Sequence, residues 1–361
     1  MSPDSISYNG VVDAWAYSGK PEAVQKVKHI WQHMEQLYED HPNIKPTIRT
    51  VNSIIQAHAK LVQEYVEQRD AEGAKKVAKE AHEFLDLMKE RYEQTNDPDH
   101  MPDVMTYTSV MDAYGRCGRY HSTMKAKALM DELKDLYAQT KNPRLKPNYR
   151  TYTCLIAAWS KTRSPDSTRE AERLLQEMID SNDPDLQPNA RSFTSVIHAW
   201  ARSFDATKPQ RALKLLKRMK DLYNSGLKDA KPNLITYNAA MDACARCQGD
   251  LHQQTESLKI AFAILKAIQV DPQLEPNAMS FSTLLRACAF LMPTGDERDK
   301  VAKAVFEKAR KAGMGDFRVL LNLKKAVNTQ MLQELLEGVP QDRNGTFDFN
   351  QIPPGWNRNV R

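Results

Sequence analysis

The sequence predicts an all-α protein, a right-handed superhelical solenoid of stacked helix-turn-helix repeats. Three features carry that prediction: a motif that recurs seven times, helical spacing of the apolar residues within each copy, and columns of small residues.

The copies are "SISYNGVVDAWAYSG", "IRTVNSIIQAHAK", "VMTYTSVMDAYGRCG", "YRTYTCLIAAWSK", "ARSFTSVIHAWAR", "LITYNAAMDACARC" and "AMSFSTLLRACAF". Their third residue is always a hydroxyl (Ser7, Thr50, Thr106, Thr151, Ser192, Thr236, Ser280). The residue seven places later is always alanine (Ala14, Ala57, Ala113, Ala158, Ala199, Ala243, Ala287). Anchors at Tyr8, Val51, Tyr107, Tyr152, Phe193, Tyr237 and Phe281 recur at intervals between 41 residues (Tyr152 to Phe193) and 56 (Val51 to Tyr107). Such a period belongs to a solenoid.

The repeats start near residues 5, 48, 104, 149, 190, 234 and 278 and fill residues 1–315. In the first segment of each, residues such as Tyr107, Val110, Met111 and Tyr114, or Tyr237, Ala240, Met241 and Cys244, share one helical face. A second amphipathic segment follows, for example from Met124 or Pro209, so each unit is a helical hairpin. Alanine, with Gly115, Ser160 or Ala201 two places on, lets neighbouring helices approach, while Trp15, Trp159 and Trp200 fill the wider gap. No hairpin buries both faces alone, so a shared core forms by stacking. The extra length lies mostly between a second helix and the next proline. The second copy also inserts "LVQEYVEQRDAEG" near its inter-helix turn. Residues 316–340 read as a closing helix pair and residues 341–361 as a loop-like tail, docked or mobile.

With 51 basic and 46 acidic residues the net charge is +5, which tolerates a polyanionic partner without demanding one. The apolar runs are too short to cross a bilayer. Five cysteines fit reduced thiols better than a disulfide framework. Cys244 and Cys247 form a lone C-x-x-C aligned with ordinary helix and turn columns, and Ile30 stands where a metalloprotease helix bearing His29 and His33 would need glutamate. The "DRNG" stretch at 342–345 lacks the alternating oxygens of a calcium loop. The chain shows no phosphate-cradling glycine loop and no nucleophile-base pair, so a non-enzymatic protein without a cofactor is expected. Because the chain opens inside the pattern, further sequence is expected upstream.

Proline followed by Asn or Asp, then "TYN" or "TYT", an apolar pair, alanine, an aromatic or Cys, a small residue and a basic one: this combination resembles the pentatricopeptide repeat family over roughly residues 3–315. Tetratricopeptide repeats share the hairpin but lack this opening. The family's usual repeat is about 35 residues, shorter than these copies. The resemblance implies single-stranded RNA binding, one nucleotide per repeat, with the base read by a repeat's fifth and last residues. The fifth residues are Asn9, Asn52, Thr108, Thr153, Thr194, Asn238 and Ser282; the last are Thr47, Asp103, Asn148, Asn189, Asn233 and Asn277. Carried over, Asn52 with Asp103 implies uracil, the three Thr/Asn pairs adenine, and Asn238 with Asn277 cytosine. Read amino to carboxyl terminus as 5′ to 3′, the implied core is U-A-A-A-C; the pair Asn9 and Thr47 and the seventh repeat stay unread.

The family sandwiches bases between second residues, here Ile6, Arg49, Met105, Arg150, Arg191, Ile235 and Met279, three of them arginines able to stack or to attract phosphate. A basic column, Lys60, Arg116, Lys161, Arg202 and Arg246, interrupted by Tyr17 and Phe290, would track phosphates. Structural readings stand beside these. The last residues are good N-caps, the Ser/Thr column acts within the first turn, and Asp112 and Asp242 sit where they pair Arg116 and Arg246. The Asn/Thr at the fifth position has no such structural account, since neither is a strong helix former.

The resemblance implies organellar RNA stabilisation, processing or translation in a mitochondrion or plastid, with other RNA-processing factors as partners, and neither membrane nor DNA. A peptide-binding scaffold of the tetratricopeptide kind, or the RNA-targeting part of a larger enzyme, are the alternatives.

Overall fold

A computed structural model describes residues 3–162, 164, 166–341, 347–349 and 351–360. Among these residues the secondary structure is α-helical apart from short 3-10 turns and one isolated bridge between Gln341 and Phe347. The helices run in pairs: α1 Ser5–Tyr17 and α2 Ala23–Tyr38; α3 Ile48–Glu67 and α4 Ala71–Thr95; α5 Val104–Arg116 and α6 Tyr120–Thr140; α7 Tyr149–Lys161 and α8 Ser167–Asp180. Then come α9 Ala190–Arg202 and α10 Lys208–Asn224; α11 Leu234–Ala245 and α12 Leu251–Val270; α13 Ala278–Leu291 and α14 Asp296–Lys311; α15 Phe317–Ala326 and α16 Thr329–Leu335. The chain divides into two compact units, Met1–Pro188 and Asn189–Arg361.

In the first unit α1, α3, α5 and α7 pack in succession, and α2, α4 and α6 each lie against their own first helix and the next one. The second unit repeats the scheme with α9, α11, α13 and α15 in succession. The apolar stripes explain it. Tyr107, Val110, Met111 and Ala113 on α5 are buried, as are Tyr237, Ala240, Met241 and Ala243 on α11. Gly115 marks the closest approach, because a Cβ there would stand 2.8 Å from the Cβ of Ala158 on α7. Ala14 is the one alanine of its column left exposed, since among the described residues no helix covers that side of α1.

The insertion in the second copy does not form a loop. Leu61, Val62, Tyr65 and Val66 continue the helical spacing, so α3 extends to Glu67, and Asp70 then caps α4 by accepting the Gly73 N–H at 2.9 Å. The extra residues before the prolines coil into one-turn 3-10 helices, Pro42–Ile44, Pro143–Leu145, Pro184–Leu186 and Lys228–Ala230. Three of these bury a side chain, Ile44, Leu145 or Ala230.

The tail docks on the second unit. The Gly315 N–H donates to the Trp356 carbonyl at 2.6 Å, and the Asn359 N–H to the Gly313 carbonyl at 3.0 Å. The Trp356 ring meets Phe306 edge-on at 5.6 Å. The 342–345 stretch lies outside the described residues.

Candidate nucleic-acid interface

The last-position residues are N-caps. Asp103 Oδ1 accepts the Met105 and Thr106 N–H groups, both at 2.9 Å, and its own N–H donates to Thr106 Oγ1 at 3.2 Å. Asn148 does the same with Arg150 and Thr151, Asn189 with Ser192, Asn277 with Ser280, and Asn233 accepts from Thr236. Thr47 donates its N–H to Thr50 Oγ1 at 3.1 Å. The hydroxyl column is thus the reciprocal half of a capping box on α3, α5, α7, α9 and α13, and is buried throughout α3 to α13.

The fifth residues have structural partners that their sequence column did not reveal. Asn9 Oδ1 accepts from Thr50 Oγ1 at 2.6 Å, Thr108 meets Thr151 at 3.1 Å, and Thr194 meets Thr236 at 2.8 Å. Asn238 Oδ1 accepts from Ser280 Oγ at 2.8 Å while its Nδ2 donates to Asn277 Oδ1 at 3.2 Å. Ser282 accepts from Asn322 at 2.9 Å. Each is a hydrogen bond from one first helix to the capping box or first turns of the next, so a polar residue inside the helix stabilises stacking. Asn52 Oδ1 and Thr153 Oγ1 are buried without a partner among the described residues. Thr108 and Thr194 also donate to Val104 and Ala190 carbonyls at 2.6 Å, which fixes their hydroxyl hydrogens.

The second residues stand out in solvent: Ile6 is 78% exposed, Ile235 64%, Met105 52% and Met279 41%. Arg49, Arg150 and Arg191 are exposed too; Arg49 reaches Asp13 on α1 at 2.9 Å, and Arg150 lies beside the Tyr149 hydroxyl. On a helix the second, fifth, ninth and thirteenth residues share one stripe. On α11 these are Ile235, Asn238 and Asp242, with Arg246 just past the end.

Neighbouring side chains engage the basic column. Arg116 pairs with Asp112 at 2.7 Å and Arg246 with Asp242 at 2.9 Å, while the Lys60 ammonium sits 4.6 Å over the Tyr17 ring. Lys161 and Arg202 are exposed. The ninth residues, whose pairing with Arg116 and Arg246 the sequence predicts, reach beyond this column: Asp242 also binds Arg286 of α13, and Asp13 takes Arg49 and Ser53. Their signal was an Asp four places before each paired arginine.

A further pair was also missed. Asp316 caps α15 as Asn277 caps α13, accepting the Val319 N–H at 2.9 Å, and exposed Arg318 occupies the second position. In "GDFRVLLN" glycine replaces the leading proline, Val319 the hydroxyl and Leu320 the aromatic, so nothing in the motif pointed there. The C-x-x-C thiols are free and buried, and burial pushes Cys244 up to about 12, far from a reactive thiolate.

The family model described as the pentatricopeptide repeat domain matches residues 173–246, and that described as the PPR repeat matches residues 105–136. Over these residues the chain carries pentatricopeptide repeats. No curated protein matches it in sequence. The crystal structure of the pentatricopeptide repeat protein PPR10 from maize aligns over 93% of this chain and 54% of that one, at 16% identity and a TM-score of 0.37. This chain thus spans about half the length of that protein's chain.

The capping geometry of the pentatricopeptide repeats sets what each last residue offers a ligand. A backbone N–H can only donate, so the amide oxygens of Asn148, Asn189, Asn233 and Asn277 are committed to the cap, and the Nδ2 group remains as a donor. Asp103 commits Oδ1 in the same way and keeps Oδ2, an acceptor. One column thus presents donors at four places and an acceptor at one.

Proposed function

We propose that the chain binds a short single-stranded RNA segment, one nucleotide per repeat, and acts by occupancy rather than catalysis: shielding a transcript, remodelling a structured site, or recruiting RNA-processing factors. The observation that carries this reading is the donor or acceptor left over at each capped last residue, beside an exposed stacking residue. Adenine and cytosine carry a ring-nitrogen acceptor on the Watson-Crick edge, which suits the asparagine donor. Uracil carries a ring N–H there, which suits Asp103. The short Thr108 and Thr194 leave room for a bicyclic purine, and the longer Asn238 suits a pyrimidine. This chemistry supports U at Asn52 and Asp103, A at the Thr/Asn pairs and C at Asn238 and Asn277, the core U-A-A-A-C. Organellar action in a mitochondrion or plastid goes with the family.

A filter-binding titration against randomised single-stranded RNA tests this. If five phosphates are contacted, log affinity falls with log salt at a slope of about −3.5. Changing Asn238 to Thr moves selection from cytosine to adenine at one position. Absence of binding at low salt sinks the RNA reading in favour of a peptide-binding scaffold.

A further inference from the structure

The second unit contains an open cleft of about 1270 Å³ with the N-terminal turn of α13 on one wall. The end of α14, the start of α15 and the returning tail form the others. Lys308, Lys311, Arg318 and Arg358 converge on it, all exposed. Among the described residues none of these four pairs with a carboxylate, whereas Arg49, Arg116, Arg246 and Arg286 on the first helices each do. Two carboxylates line the cleft, Glu275 and Asp316, and Asp316 is committed to the Val319 N–H. Four unneutralised cations facing one space repel one another and focus positive potential there, so an anion is the fitting occupant.

The tail wall is a built element. Besides the backbone bonds at Gly313 and Gly315, the Asn359 Nδ2 donates to the Ala312 carbonyl at 2.9 Å, and the Arg310 guanidinium lies 5.5 Å over the Trp356 ring. Gly313 has φ +67, and a Cβ there would stand 2.6 Å from the Arg358 Cγ, so the tail lies directly against this turn. Arg358 is thereby held at the cleft.

We propose that this cleft is a phosphate site gripping the one or two nucleotides immediately 3′ of the base read at Asn238 and Asn277. It rests on the RNA reading above. Asn277 and Met279 lie on the cleft wall itself, so a strand leaving the Asn238 and Asn277 pair enters the cleft directly. Met279 offers an apolar face to the next base, and the four cations take the phosphates. The space is far larger than one phosphate ion needs, which favours a nucleotide strand over the free ion.

The test uses the full chain and the RNA it selects from a randomised pool, either cut after the base whose identity Asn238→Thr alters or continued by three nucleotides. The continued RNA binds the wild type more tightly, with a salt slope steeper by about 0.7 per added phosphate contact, about 1.4 for two. The double variant Lys311→Gln, Arg358→Gln loses this advantage and binds the cut RNA as the wild type does. Equal affinity of both RNAs for the wild type overturns the cleft and leaves the RNA reading standing. Tight 5′-adenosine monophosphate binding without an advantage for the continued RNA likewise overturns it, assigning the cleft to a free nucleotide. Failure of every RNA to bind overturns both.

Discussion

Asp103 caps α5 with one carboxylate oxygen and has the other to spare, and that division makes it the sharpest residue to change. Asn caps a helix as well as Asp, so Asp103→Asn should leave the melting temperature nearly unmoved while turning an acceptor into a donor. Selection at that nucleotide should then move from uracil to cytosine. Asp103→Ala, by contrast, should cost about 1 kcal/mol of stability through the lost cap. A selected sequence unchanged by Asp103→Asn, in the same pool experiment, would mean that the residue only caps. The cap columns were legible because Pro-Asn before a helix has a fixed meaning. The fifth column was half legible: its polarity inside a helix was a true signal, but the partner, a hydroxyl some 40 residues away such as Thr236 for Thr194, is invisible to local spacing. His58 shows the same limit. It stands in the column that Trp15, Tyr114 and Trp159 hold, is fully buried, donates from Nδ1 to the Ile54 carbonyl at 2.8 Å, and is pushed down to about 4, first by burial and with Lys28 adding to it, against the opposing pull of the Ile54 carbonyl, Glu80 and Glu83. The unfolded chain takes up this proton below about 6.5 and the folded chain only near 4, so acidification between those values favours unfolding by up to about 1.4 kcal/mol per pH unit. In thermal melts from pH 7 to pH 4.5, His58→Leu should flatten the loss of stability; His82, His100 and His198 are shifted in the same direction, so some slope persists.

At the scale of the helix, the hydrogen bonds of Asn9, Thr108, Thr194, Asn238 and Ser282 couple a first helix to the next, and a double-mutant cycle measures that coupling. Thr194 and Thr236 are both buried, and valine keeps the shape of threonine while deleting the hydroxyl. Thr194→Val removes the acceptor of Thr236 and should cost about 1 kcal/mol, with Thr236→Val somewhat more because that hydroxyl shares its one hydrogen with the cap oxygen of Asn233. The double variant should cost less than the sum, leaving a coupling of about 0.5 kcal/mol or more in denaturant titrations. Strict additivity would remove the ladder from the account of stacking. Helix existence was legible throughout from the 3.6-residue spacing. Helix length was not, because the insertion after Lys60 keeps apolar residues in helical register and so extends α3 instead of opening a loop. The closing pair α15 and α16 was legible as helices, but the role of α15 as another capped first helix was hidden by its different opening residues.

Across the whole chain the loops between hairpins alternate. Those after α2, α6 and α10 carry a lysine before proline, and those after α4, α8 and α12 carry Asp-Pro-Asp or Asp-Pro-Gln. Lys45 pairs with Asp97 and, at 2.8 Å, with Asp99; Lys146 pairs with Asp183 at 2.8 Å and Asp185 at 2.7 Å; Lys231 reaches Gln273. The hydrogen bond to Asp183 holds the Lys146 ammonium above its ordinary range, and Lys146 in turn holds Asp183 low. Between these clips the loops after α4 and α6 meet through Arg144 Nη1, which donates to the Pro98 carbonyl at 3.1 Å, and through Asn142 against the Met101 sulfur. Repeats are thus clipped in twos, a period that alignment repeat by repeat conceals because the lysine stands two places before the last residue in one loop and the aspartate six places before it in the next. The third clip has an amide where the others have a second carboxylate, so Gln273→Asp should complete it. The partners lie at the surface, where ion pairs contribute little and salt screens them within about 3 Å at 1 M. The variant should therefore melt slightly higher than wild type in low-salt buffer, and the gain should vanish at about 1 M sodium chloride. Lys231→Met combined with Gln273→Asp should lose the gain at every salt concentration. A gain that survives high salt, or survives without Lys231, would show that the aspartate acts within its own loop, as Asp97 and Asp183 do when each accepts an N–H two residues on, and that the pairwise clipping of repeats contributes nothing there.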